Sequence, residues 1–160
     1  MRNNKIIIAG LSLILLSAIS SCKKDKAEPI DTSYPEINVS IQDAFPKQCS
    51  VLKRGQSFSF RAFLTDNAEL GSVSIDIHHN FDHHSHSTEV SDCSMSPVKQ
   101  AVKPFLLIRS FPIAAGLQSF QTNAEISVPA DIDPGDYHFL IRVTDKQGWQ
   151  TIKGLSIKIE

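Results

Sequence analysis

The chain has few cysteines, three in 160 residues, a single tryptophan and only seven glycines with no repeat between them. The scarcity of glycine excludes a collagen-like polymer, and a 41% hydrophobic content excludes a disordered one. Neither sign of charge is in excess, with 16 Lys and Arg against 17 Asp and Glu. A surface so balanced gives no purchase on phosphate backbones, so a basic nucleic-acid binder is excluded. No apolar run is long enough to span a bilayer stably. Helical periodicity is almost absent as well. One domain built from strands is what these absences leave.

The N-terminus is organised differently. Arg2 and Lys5 precede the apolar run Ile6 to Leu16, which is followed by the small-residue stretch Ser17 to Ser21 and by Cys22. That order is the pattern of a signal peptide over residues 1–21. Ile19-Ser20-Ser21-Cys22 resembles the lipobox of bacterial lipoproteins, which implies lipidation of Cys22; an ordinary secretory leader beside a coincidental Cys is the alternative. Residues 22–33, with Lys23-Lys24-Asp25-Lys26, read as the lipidated Cys and a charged tether. Several acyl chains hold a protein durably, so the expected location is the cell envelope, lipid-anchored to the outer membrane on its periplasmic or surface face. Only Cys49 and Cys93 then remain, and in an oxidising compartment they are expected to form a disulfide, two separate buried thiols being the less favoured reading.

Residues 34–160 alternate apolar and polar side chains at period two. The strand candidates are Glu36 to Ile41, Ser57 to Thr65, Ser72 to His79, Phe105 to Phe111, Phe120 to Val128, Gly135 to Thr144 and Trp149 to Ile159. Seven strands in such a length predict an all-β, immunoglobulin-like antiparallel β-sandwich. Asp133-Pro134-Gly135-Asp136-Tyr137 resembles the tyrosine corner of such domains, and Asp145-Lys146-Gln147-Gly148 reads as a hairpin turn.

Five of the six histidines fall in His78-His79-Asn80-Phe81-Asp82-His83-His84-Ser85-His86, and the sixth is His138. Neutral imidazole binds Zn, Cu or Ni, and a carboxylate adds charge, so the cluster suits a transition metal, zinc first. With Val73, Ile75 and Ile77 facing the core, Asp76 and His78 point to the outer face. In a sandwich of this kind the third and sixth strands pair antiparallel, which brings His138 outward near His78. The expected metal ligands are His83, His86 and His78 first, then Asp82 and His138, with His84 or Asp76 in an outer or alternate role. His79 is the histidine expected to be structural. A polar, solvated loop is the alternative for the whole tract.

A second constellation, Asp66-Asn67 with Glu69, offers oxygens suited to Ca²⁺ but lacks a full ligand set in sequence, and turn chemistry accounts for it. Phe63 and Trp149 are candidate exposed aromatics for a glycan or protein contact. No His-Glu-x-x-His helix or nucleophile elbow is present, and Glu89 is the one unanchored candidate base, so no enzyme is expected.

The stretches Thr65 to Leu70, Ile75 to His86 and Pro134 to Phe139 together resemble Bacteroidota lipoproteins carrying the domain of unknown function four-six-two-five. The resemblance implies an Ig-like fold and a lipid-anchored envelope protein, and it brings no established activity. The function expected is metal capture or buffering for uptake, with an outer-membrane transporter or surface protein as partner. An adhesion or assembly module binding a protein or glycan is the alternative, and dimerisation through the exposed histidines is a further option.

Overall fold

The computed structural model describes residues 30–86 and 93–160. The expected leader, Cys22, most of the tether and Glu89 lie outside these residues. No helix among the described residues is long and apolar enough to cross a membrane.

Ten strands form among the described residues: β1 (Glu36–Asn38), β2 (Val51–Leu52), β3 (Ser57–Phe60), β4 (Phe63–Thr65), β5 (Leu70–His79), β6 (Leu107–Pro112), β7 (Ser119–Gln121), β8 (Ala124–Ser127), β9 (Gly135–Asp145) and β10 (Gln150–Ile159). A five-stranded sheet runs β2-β10-β9-β5-β6, faced by β1-β4-β7 and the pair β3-β8. The chain is an all-β, immunoglobulin-like sandwich. All pairings are antiparallel except that of the two-residue β2 with β10.

The core lies between the layers. Alternation places Val73, Ile75 and Ile77 of β5, Phe139, Ile141 and Val143 of β9, and Leu155, Ile157 and Ile159 of β10 inward, all buried. Phe58 and Phe60 of β3 close on Phe139, with ring centroids 6.3 and 5.5 Å away. That aromatic packing fills the position where an inter-sheet disulfide stands in antibody domains. Tyr137 makes the expected corner: its hydroxyl donates to the Asp133 carbonyl at 2.6 Å and accepts the Phe105 N–H at 3.1 Å.

Two expected strands are each divided. Ser57 to Thr65 becomes β3 and β4, and Phe120 to Val128 becomes β7 and β8. The break is chemical: the Thr122 hydroxyl, not a carbonyl, accepts the Ala62 N–H at 2.8 Å and donates to the Phe60 carbonyl at 3.2 Å. A side chain inserted in the ladder ends strand pairing without disturbing which residues are buried. Phe105 lies before β6, an edge strand whose Ile108 is 71% exposed.

Cys49 and Cys93 form the disulfide, across a sequence separation of 44 residues. Closing a loop of that size contributes up to roughly 4 kcal/mol in the chain-entropy account. The bridge anchors the return of the histidine loop beside β10, where the Cys49 N–H donates to the Ser156 carbonyl at 2.8 Å.

Candidate metal centre

The central ladder builds the first half of the site. β5 and β9 pair from Leu70 opposite Asp145 to His79 opposite Tyr137, and within that register His78 lies opposite His138. Because Ile77, Tyr137 and Phe139 face the core, His78 and His138 share the outer face.

The loop after β5 builds the second half. Asn80 donates its N–H to the Asp136 carbonyl at 2.8 Å, and Phe81 plugs the core edge against Tyr137, their ring centroids 5.2 Å apart. Lys99 covers the Phe81 ring at 4.3 Å. His83 then adopts φ 60°, and this left-handed residue folds the chain back over the outer face. His84 and His86 land on the ladder histidines, their ring centroids 4.7 and 4.6 Å from that of His138.

The result is a group of His78, His84, His86 and His138 whose ligand nitrogens all lie within 4.8 Å of one another. His78 Nε2 and His86 Nε2 are 3.1 Å apart. Bonds of ~2.0–2.1 Å to a tetrahedral Zn²⁺ put neighbouring nitrogens about 3.3 Å apart, so this edge is close to that of a liganded site.

Tautomers are set by the surroundings. Asp76 accepts the His78 Nδ1–H at 2.8 Å and Asp82 accepts the His84 Nδ1–H at 2.6 Å, which leaves the lone pair of each neutral ring on Nε2. Such carboxylate support orients an imidazole and raises its basicity as a ligand. His138 donates Nε2–H to the His84 carbonyl at 3.2 Å, so Nδ1 carries its lone pair. Metal binding needs neutral rings, and burial favours that form at two of the four, His138 and His86. Burial, followed by the neighbouring His84, His86 and His78, pushes the His138 pKa down to about 4. Burial also lowers that of His86, with His78 and His84 adding to the effect.

Not every expected residue joins this group. His83 is turned away and donates Nε2–H to the Ser96 carbonyl at 2.9 Å. Asp82 stands behind His84, its carboxyl held low chiefly by the hydrogen bond from that ring. His84 stands in the group itself, and Asp76 supports His78 from behind. His138 points outward as expected yet is fully buried, because the loop covers it. His79 packs on Phe81, with ring centroids 4.9 Å apart.

A second group, unannounced by any one stretch of sequence, lies at the other end of the ladder. Asp31, Asp66 and Asp145 bring one carboxylate oxygen each to within 4.8 Å of one another. Of the Asp66-Asn67-Glu69 constellation only Asp66 supplies an oxygen to it; Glu69 accepts the Gly116 N–H at 2.9 Å and faces Lys146. Trp149 is half-buried, its indole N–H donating to the Asp31 carbonyl at 2.8 Å.

The family model of a domain of unknown function (DUF4625) matches residues 20–160. The chain belongs to this family. No curated protein matches the DUF4625 chain at a significant level. Among solved structures it is similar to the GspB Siglec domain, at 20% identity and a TM-score of 0.44 over 81% of this chain and 59% of that one. It is also similar to Spo0M, the sporulation control protein from Bacillus subtilis, at 11% identity and a TM-score of 0.40 over 82% of this chain and 50% of that one. The DUF4625 chain thus spans between half and three-fifths of the length of these structures.

Proposed function

We propose that this DUF4625 protein is a lipid-anchored module of the cell envelope that captures or buffers a transition metal and passes it to an outer-membrane transporter or surface protein. The observation that carries the metal reading is the convergence of four imidazoles from strand and loop, with ligand atoms within 4.8 Å. All-nitrogen donation favours Zn²⁺, Cu²⁺ or Ni²⁺ over Ca²⁺ or Mg²⁺. Four protein ligands complete a tetrahedral zinc, as in sites that bind rather than catalyse. The anchor rests on Ile19-Ser20-Ser21-Cys22.

The test is calorimetric titration of Zn²⁺, Cu²⁺ and Ni²⁺ into chelator-stripped protein with the disulfide intact. Saturable sub-micromolar binding of one ion per chain supports the reading, and weak unsaturable binding overturns it. Incorporation of labelled fatty acid that Cys22→Ser abolishes tests the anchor.

A further inference from the structure

Asp31, Asp66 and Asp145 come from three separate parts of the chain. Asp31 is on the segment leading into β1, Asp66 begins the turn between β4 and β5, and Asp145 ends β9. Each accepts N–H donors at Oδ1. Asp31 Oδ1 accepts from Ser33 N–H at 2.9 Å and Asn67 Nδ2 at 3.0 Å. Asp66 Oδ1 accepts from the N–H groups of Ala68 and Glu69, both at 2.8 Å. Asp145 Oδ1 accepts from those of Gly148 and Trp149, at 2.6 and 2.7 Å. These bonds hold the three carboxylates in place, and one oxygen of each lies within 4.8 Å of the others.

The other oxygens decide the matter. Oδ2 of Asp31, of Asp66 and of Asp145 is in each case buried and without a hydrogen-bond partner. Asp31 is 9% exposed and Asp145 4%. Buried carboxylate oxygens are ordinarily satisfied, and three of like charge side by side repel. Turn capping explains Oδ1 and leaves Oδ2 unexplained. The backbone also holds Asp145 tightly, since a Cβ on Gly71 would stand 2.7 Å from the Asp145 carbonyl oxygen.

A cation satisfies all three oxygens at once. Ca²⁺ takes oxygen ligands at ~2.3–2.6 Å, so two oxygens on one ion are at most about 5 Å apart, and the observed spread is within that reach. Mg²⁺ demands a tighter octahedron and keeps more of its water, and soft metals prefer nitrogen or sulfur. We propose that Asp31, Asp66 and Asp145 form a Ca²⁺ site that clasps the N-terminal segment onto the end of the sandwich opposite the histidines. Two contacts of the same segment join the clasp: the Asp31 carbonyl on the Trp149 indole, and the Tyr34 ring 5.0 Å from that of Trp149.

The chain's one tryptophan makes the test direct. Chelator-stripped full chain in detergent is titrated with Tb³⁺, read by emission sensitised through Trp149, and with Ca²⁺ in calorimetry and in competition with Tb³⁺. One saturable site per chain is expected. Asp66→Asn and Asp145→Asn keep the Oδ1 acceptor and should each weaken Ca²⁺ at least tenfold, while His86→Ala leaves it unchanged. If either variant fails to fold, Asp31→Asn, on the entering segment, carries the same expectation. Amide exchange of residues 30–36 should slow at least tenfold when Ca²⁺ is added. A folded wild-type chain that takes up no Ca²⁺ at millimolar concentration overturns the site, as does undiminished affinity in the Asn variants. Unchanged exchange of the segment with Ca²⁺ bound overturns the clasp.

Discussion

His78 and His138 face each other across the β5–β9 register, their ring centroids 5.1 Å apart on the outer side of the sheet. Two ligands on adjacent strands are held at fixed spacing by backbone hydrogen bonds. The other two, His84 and His86, arrive on a loop, so the group is half strand and half loop.

That division separates neighbouring histidines in one experiment. His86→Ala removes a ligand and should weaken Zn²⁺ binding at least a hundredfold, whereas His83→Ala, whose ring goes to the Ser96 carbonyl, should change it less than about threefold. Isothermal titration of the two variants checks this, and equal losses would place the site elsewhere in the tract.

The carboxylates behind the rings have a graded role. Asp76→Asn and Asp82→Asn leave all four imidazoles in place but remove the anionic acceptors of His78 and His84. Each should lower zinc affinity about 10- to 100-fold, the usual cost of losing such a supporting partner. Competition against a chromophoric chelator measures it.

Acid should destabilise the metal-free protein. The His138 pKa is near 6.5 in the unfolded chain and about 4 in the folded one, so between those values the unfolded state binds the extra proton. The contribution of neutral His138 is therefore complete above pH ~6.5 and falls as pH drops toward ~4, by at most about 1.4 kcal/mol per pH unit per proton. His86 shifts in the same direction. Urea unfolding at a series of pH values in chelator should show the decline, and a flat profile through that window would contradict it.

The tyrosine corner, on the core side of the sheet whose outer face carries the histidine group, predicts a separate stability loss. Tyr137→Phe keeps the buried ring and leaves the Phe105 N–H and the Asp133 carbonyl without their shared hydroxyl. A cost of about 1–3 kcal/mol is expected with the fold retained, measurable as a lower denaturation midpoint.

Much of this architecture is legible in the sequence because alternation reports burial directly. Val73-Ile75-Ile77 and Tyr137-Phe139-Ile141-Val143 face inward as their spacing requires, and the antiparallel pairing of those strands is enough to bring His78 beside His138. The division of two strands at Ala62 and Thr122 is hidden, because Phe60, Ala62 and Leu64 remain buried in alternation across the break. Within the loop no period relates position to facing. His83 ranks ahead of His84 as a ligand until the left-handed turn at His83 is seen. The aspartate group is harder still: Asp66 and Asp145 read as turn residues and Asp31 as part of the tether, and only the fold brings one carboxylate oxygen of each together.

The β5–β9 ladder also works as a ruler. Its ten-residue strand spans about 30 Å, with Leu70 opposite Asp145 at one end and His79 opposite Tyr137 at the other. Asp31 belongs to the first end and the four histidines to the second. Under the lipid anchor proposed above, the segment that carries Asp31 would hold the molecule by one end of this ladder and leave the imidazole group at the other.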